Sequence, residues 1–182
     1  MKLDNNFFTL LGLPQRFDVD AKRLKQRLRE LQRQYHPDRY ARATPHEQRL
    51  AAQFSAQLNT AASVLGNPVQ RALHLLEQAG VRVDAQNHTE TDSGFLLEQM
   101  ELRDALEDAR AQHDVAALQA LAGQVAAAYT SAQQDFATTG VGQGEADALA
   151  PDAAANLLGL VSKMRFFEKL DQEVAAALTQ LR

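Results

Sequence analysis

The sequence predicts an all-α chain in two parts, an N-terminal helical hairpin and a C-terminal three-helix bundle. Two observations carry this. Apolar residues recur at spacings of three and four along several long stretches, the period of a helix with one packed face, and no stretch reads as a convincing strand. Punctuation accompanies the period: Asp20 and Thr44 stand where helix N-caps belong, while Gly12, Pro37, Pro68 and Gly80 stand where helices stop.

The elements follow in order. Phe7, Phe8, Leu10 and Leu11 form a short apolar helix that Gly12-Leu13-Pro14 closes. Asp20 opens a helix to about Tyr35, with Leu24, Leu28, Leu31 and Tyr35 on one stripe. Lys22, Lys25, Arg29 and Arg33 lie on the opposite face, with Arg23 and Arg27 at its margin. Pro37 ends the helix, because it lacks an N–H and disfavours helical geometry at His36. Thr44-Pro45-His46-Glu47 starts the next helix with a capping box, and Leu50, Phe54, Leu58, Ala61 and Leu65 keep its period to Gly66-Asn67-Pro68. Two long helices around a short loop should pair antiparallel, with His36-Pro37-Asp38 at the tip. Val69, Leu73 and Leu76 give a further short helix.

Residues 81–94 are polar and irregular and are taken as the linker between residues 1–80 and 95–182. Three amphipathic runs follow, Phe95 to about Gln112, Asp114 to Thr138, and Pro151 to the end, with Gly140, Gly142 and Gly144 marking a flexible loop.

Composition limits the function. With 45% apolar and 23% charged residues the chain is neither disordered nor fibrous. The absence of cysteine excludes disulfides, thiolate metal sites and a cysteine nucleophile. Met1-Lys2-Leu3-Asp4-Asn5-Asn6 lacks the apolar core of a signal peptide and no run approaches a membrane span, so a cytoplasmic location without membrane contact is expected. The net charge of −4 conceals a dipole: residues 1–75 carry 12 Lys and Arg against 6 Asp and Glu, a net of +6, and the remainder 7 against 17, a net of −10. The first part should prefer an acidic surface.

No catalytic constellation is present, so an enzyme is not expected and no cofactor is called for. His36 and Asp38 have no nucleophile beside them, and His46, His74, His88 and His113 are scattered without metal-ligand spacing. Two stretches instead read as contact surfaces. The basic face is either a solvated helix face or one that steers an acidic partner; nucleic acid would be attracted too, but no side-chain set is arranged for base reading. On the Phe95 helix, Phe95, Leu102, Leu106 and Ala109 form one stripe, while Leu96, Leu97 and Met100 lie about 100° to 200° from Phe95. That second apolar cluster, flanked by Glu98, Glu101 and Asp104, is either covered by a neighbouring helix or offered to a partner. Phe166, off the main stripe of the last helix, extends the same patch.

Phe7 to Pro14, the basic helix, His36-Pro37-Asp38 and the capped helix after it together resemble a J-domain, the chaperone-stimulating module of DnaJ-type co-chaperones. Phe8-Thr9-Leu10, Gly12-Leu13-Pro14, the stretch from Leu31 to Arg39, that from Phe95 to Arg103, and Met164-Arg165-Phe166-Phe167 are similar to the HscB family of iron–sulfur cluster assembly. The likeness extends over nearly the whole chain. It implies a J-domain joined to a three-helix bundle that binds the IscU-type scaffold and presents it to the HscA-type, DnaK-class chaperone. By resemblance, Asp38 pairs with an arginine of that chaperone, Pro37 sets the bend and His36 orients the tip or donates a hydrogen bond, with Lys22, Arg23, Lys25, Arg27, Arg29 and Arg33 completing the chaperone surface. Leu96, Leu97, Met100, Glu101, Asp104 and Phe166 are the expected scaffold contacts. Arg39 departs from the family pattern, standing where many J-domains have Lys, and keeps the charge in a different shape. A J-domain co-chaperone for another client is the alternative, and a nucleic-acid-binding helical protein a more distant one.

Overall fold

The structure, a computed structural model, describes residues 4–82, 92–142 and 149–181. They form helices α1 (Phe7–Leu11), α2 (Ala21–Gln34), α3 (Pro45–Gly66), α4 (Pro68–Gln78), α5 (Ser93–Ala111), α6 (Val115–Thr138) and α7 (Pro151–Gln180), with no strand among the described residues. Two compact units result. One runs to Arg82 and takes in 140–142; the other holds the described residues of 92–139 and 149–181.

In the first unit local chemistry starts each helix where the sequence indicates. Asp20 Oδ1 accepts the N–H groups of Lys22 at 2.8 Å and Arg23 at 3.3 Å. Thr44 and Glu47 form the reciprocal capping box, Glu47 N–H donating to Thr44 Oγ1 at 3.3 Å and Thr44 N–H to Glu47 Oε2 at 2.9 Å. α2 and α3 pair in opposite senses: Tyr35 sits edge-on to Phe54 with centroids 4.7 Å apart, while Gln32 Nε2 donates to Asn59 Oδ1 at 2.8 Å. α3 buries Ala51, Phe54, Leu58, Ala61 and Leu65, an unbroken stripe at spacings of three and four. Against it lie Phe8 and Leu11 of α1, which ends at Gly12 with a left-handed φ of 64°. That conformation suits glycine, and a Cβ there would stand 2.8 Å from Arg27 Nη2.

Between α2 and α3 the sequence predicts a simple bend. The chain instead turns once more as a 3-10 helix, Pro37–Tyr40, capped by His36. The proline supplies its first position, where a missing N–H costs nothing.

The second unit is the expected three-helix bundle. Phe95, Leu102, Leu106 and Ala109 of α5 meet Leu118, Leu121 and Val125 of α6 and Phe167, Leu170, Val174 and Ala177 of α7 in one core. Asp92 and Asp114 cap α5 and α6 through their side chains. Of the expected linker at 81–94, residues 83–91 lie outside the described residues, and residues 93 and 94 already belong to α5. Where the glycine loop is described, at 140–142, it is packed: Val141 is buried, and a Cβ on Gly142, at φ 90°, would collide with Leu75 Cδ2 at 2.6 Å. Gly144 and His88 lie outside the described residues.

Candidate interaction surfaces

At the hairpin tip, His36 accepts the Asp38 N–H at its Nδ1, 3.3 Å away, and the same nitrogen is 3.5 Å from Asp38 Oδ2. An Nδ1 that accepts from a backbone amide assigns the proton of the neutral ring to Nε2. The two side chains are 56% and 89% exposed, so the tip offers a donor and a carboxylate to a partner and has no enclosing walls. Arg39 turns back and its Nη1 donates to the Arg33 carbonyl at 3.1 Å, closing the end of α2. Arg29, Gln32, Arg33, His36 and Arg39 line a shallow basic hollow beside the tip.

Lys22, Arg23, Lys25, Arg29 and Arg33 are exposed along α2. Arg27 differs from them. Its Nε donates to the Leu11 carbonyl at 3.0 Å and its Nη1 meets Glu30 Oε2 at 2.7 Å, tying α2 to the end of α1. Hydrogen bonds from Gln26 and then Arg27 hold the Glu30 carboxyl below its ordinary pKa. The acid within the basic run is thereby engaged, and the cations beyond it face solvent.

A third feature of this unit was not anticipated. His74 is buried at 5% exposure, its Nε2 accepting the Phe7 N–H at 3.1 Å, with the Phe7 ring stacked on it at 4.5 Å. Burial pushes its pKa down, against an opposing pull from Glu77. Its position among Leu73, Leu75 and Leu76 was the available signal.

On the bundle, Leu96 is 44% exposed, Leu97 57% and Met100 63%, and with Val115 these are the exposed large hydrophobics of the described residues. Among the described residues no helix covers them. Glu101 and Asp104 are exposed beside them. Phe166 is half-buried, edge-on to Phe95 and Phe167 at 5.6 Å and 5.4 Å, under the Arg103 guanidinium at 5.6 Å. Arg103 lies three residues beyond Met100, on the same side of α5, so Phe166 adjoins the patch through it. Asp92 Oδ2 is paired with Lys163 Nζ at 3.2 Å. The Phe95 N–H, followed by Lys163, holds the Asp92 carboxyl below its ordinary range. Sequence reasoning passed over Arg103 and Lys163, because both act across helices.

Among the described residues no group of three or more His, Asp or Glu side chains is placed to hold a metal ion, and no helix is long and apolar enough to cross a membrane.

An exposed His-Pro-Asp turn closing a helical hairpin, ahead of a bundle with an uncovered apolar face, is the arrangement that the resemblance to J-type co-chaperones leads one to expect. Residues 6–74 match the DnaJ domain and residues 91–175 the family described as the HSCB C-terminal oligomerisation domain. The co-chaperone protein HscB homolog of Bordetella petrii is 40% identical over 95% of this chain and 96% of its own length. Chaperone HscB from Vibrio cholerae superposes with a TM-score of 0.81 at 32% identity, covering 97% of this chain and 99% of that one. Human co-chaperone protein HscB, at 24% identity and a TM-score of 0.82 over 97% of this chain and 83% of its own, shares the fold. The chain belongs to the HscB family of J-domain co-chaperones in iron–sulfur cluster assembly.

Proposed function

We propose that this protein binds an IscU-type scaffold through Leu96, Leu97 and Met100, with Glu101, Asp104 and Phe166 around them, and delivers it to an HscA-type, DnaK-class chaperone in the cytoplasm. His36, Pro37 and Asp38, with Lys22, Arg23, Lys25, Arg29 and Arg33, engage the chaperone and stimulate its ATPase. Residues 1–80 act as the J-domain, 81–94 as the linker and 95–182 as the scaffold-binding domain. The protein has no catalysis of its own in this reading and needs no cofactor, nucleic acid or membrane.

The observation that carries the reading is the pairing, on one chain, of an exposed His36-Pro37-Asp38 tip with an exposed apolar face on α5. The tip suits a partner arginine, since a carboxylate and a guanidinium make a bidentate, charge-assisted contact. The α5 face suits an apolar client surface, with Met100 as its adaptable element.

The test measures chaperone ATPase with and without scaffold, alongside calorimetric scaffold binding. His36→Gln should abolish stimulation and leave scaffold affinity unchanged. Replacement of Leu96, Leu97 and Met100 together by Ser should do the reverse, removing scaffold binding while direct stimulation persists. Full stimulation by His36→Gln, or unchanged scaffold affinity in the triple variant, would falsify the corresponding half.

A further inference from the structure

The helix that carries the apolar face is fastened unevenly. Along α5 the core residues are Phe95, Leu102, Leu106 and Ala109, so the first two anchors stand about two turns and 10 Å apart. Leu96, Leu97 and Met100 all fall within that interval and point away from the core. Helix starts are prone to fray, because their first N–H groups have no intrahelical partner. This face is therefore built on the part of α5 least held by burial.

Two contacts from one side chain make up for it. Asp92 caps the helix, its Oδ1 accepting the N–H groups of Gly94 at 3.1 Å and Phe95 at 3.2 Å. Its other oxygen receives Lys163 Nζ from α7 at 3.2 Å. The same ammonium lies 5.2 Å from the centroid of the Phe95 ring, which is itself edge-on to Phe166 and Phe167. Lys163 thus touches both the cap of α5 and its first core residue. Its aliphatic stem and charged head suit that double task, and it is half-buried with a side-chain exposure of 35%.

We propose that Lys163 is a positioning residue for the client-docking face: through Asp92 and Phe95 it holds the start of α5 against α7 and presents Leu96, Leu97 and Met100 as an ordered surface. The proposal rests on the reading of that face as the scaffold site. A partner that binds only the ordered helix loses affinity in proportion to the fraction frayed, and Lys163 removes that loss.

The experiment uses the full chain with Lys163→Met, Lys163→Arg and Asp92→Asn. Amide hydrogen exchange is followed in the free protein, and affinity for an IscU-type scaffold is measured by calorimetry. Lys163→Met should accelerate exchange at residues 95–100 while residues 118–136 stay protected, and should raise the scaffold Kd about two- to fivefold. Lys163→Arg should restore both, because it keeps the charge and the ring contact. Asp92→Asn, which retains a capping oxygen but loses the ion pair, should fall between. Unchanged exchange in Lys163→Met overturns the proposal, as does faster exchange with unaltered affinity, or equal weakening by Met and Arg. The Leu96, Leu97 and Met100 to Ser variant run in parallel separates the two levels. If it still binds scaffold, the client-site reading fails and the positioning role with it; if it does not bind while Lys163→Met binds normally, only the positioning role fails.

Discussion

Substituting Arg27 separates the structural cations of α2 from those offered to a partner. Arg27→Ala removes the bond from Nε to the Leu11 carbonyl, 3.0 Å long, and the contact to Glu30 at 2.7 Å. A hydrogen bond from a charged donor contributes about 1.5–3 kcal/mol when sheltered. The Arg27 side chain is 36% exposed, so solvent screening reduces this to about 1–2 kcal/mol, and the surface pair with Glu30 adds little. A chain of two compact units has no single unfolding free energy, so the readout should be local. Amide exchange in α1 and the first turns of α2 should quicken by about 5- to 30-fold, the factor that this range implies. Chaperone stimulation at saturating co-chaperone should be preserved. Arg29→Ala should behave in the opposite way, with exchange unaltered and the half-saturating concentration raised about two- to fivefold at low salt, less as salt rises. The reasoning fails if Arg27→Ala leaves exchange untouched while weakening stimulation as much as Arg29→Ala.

Two further outcomes follow from the same unit. His74 is held neutral by burial, so its folded pKa lies below the unfolded value of about 6.5; the unfolded chain binds the extra proton first, and the stabilisation is complete above that pH and lost as pH falls toward the folded value. Thermal unfolding between pH 5 and 7.5 should therefore show a steeper acid loss in the native chain than in His74→Gln, and parallel curves would rule the account out. Gly12→Ala should destabilise the α1–α2 region by about 1–2 kcal/mol, since the residue needs a left-handed φ and its Cβ would press on Arg27. Unchanged exchange protection in α1 would count against it.

The sequence was most legible where structure is set within one turn. The Asp20 cap and the Thr44–Glu47 box depend on residues two or three positions apart and are found as read, whereas the α3 stripe begins with buried Ala51 where the period pointed to Leu50, which is only partly buried. Helical angles alone also separated Leu96, Leu97 and Met100 from the core stripe of α5, and those three are exposed. What could not be read depends on partners distant in sequence. Arg27 looks like any other cation of its run until the Leu11 carbonyl, sixteen residues earlier, is brought beneath it. His74 seemed one of several scattered histidines, and only the docking of α1 gives its Nε2 the Phe7 amide. The 3-10 turn after His36 was missed for another reason: a four-residue element leaves no period to detect.

Both surfaces are places where the sequence departs from what folding alone asks for. A loop between two long helices needs only to turn, yet this one exposes an imidazole and a carboxylate on a proline-fixed turn, held by the Tyr35–Phe54 contact just behind it. A bundle helix needs one apolar stripe, yet α5 carries a second. The two exceptions differ in physical kind, and this gives the proposed mechanism its order. In that mechanism the cationic hairpin attracts its partner at a distance and weakly, through screened charge, whereas the apolar face acts on contact and is less sensitive to salt, the screening there falling on Glu101 and Asp104. Under the proposed function, carrying both on one chain would hold a bound client near the engaged chaperone at an effective concentration far above that of free client, so neither contact would have to be tight alone. Raising ionic strength should then uncouple the pair from one side: chaperone engagement falls first while scaffold stays bound to α5.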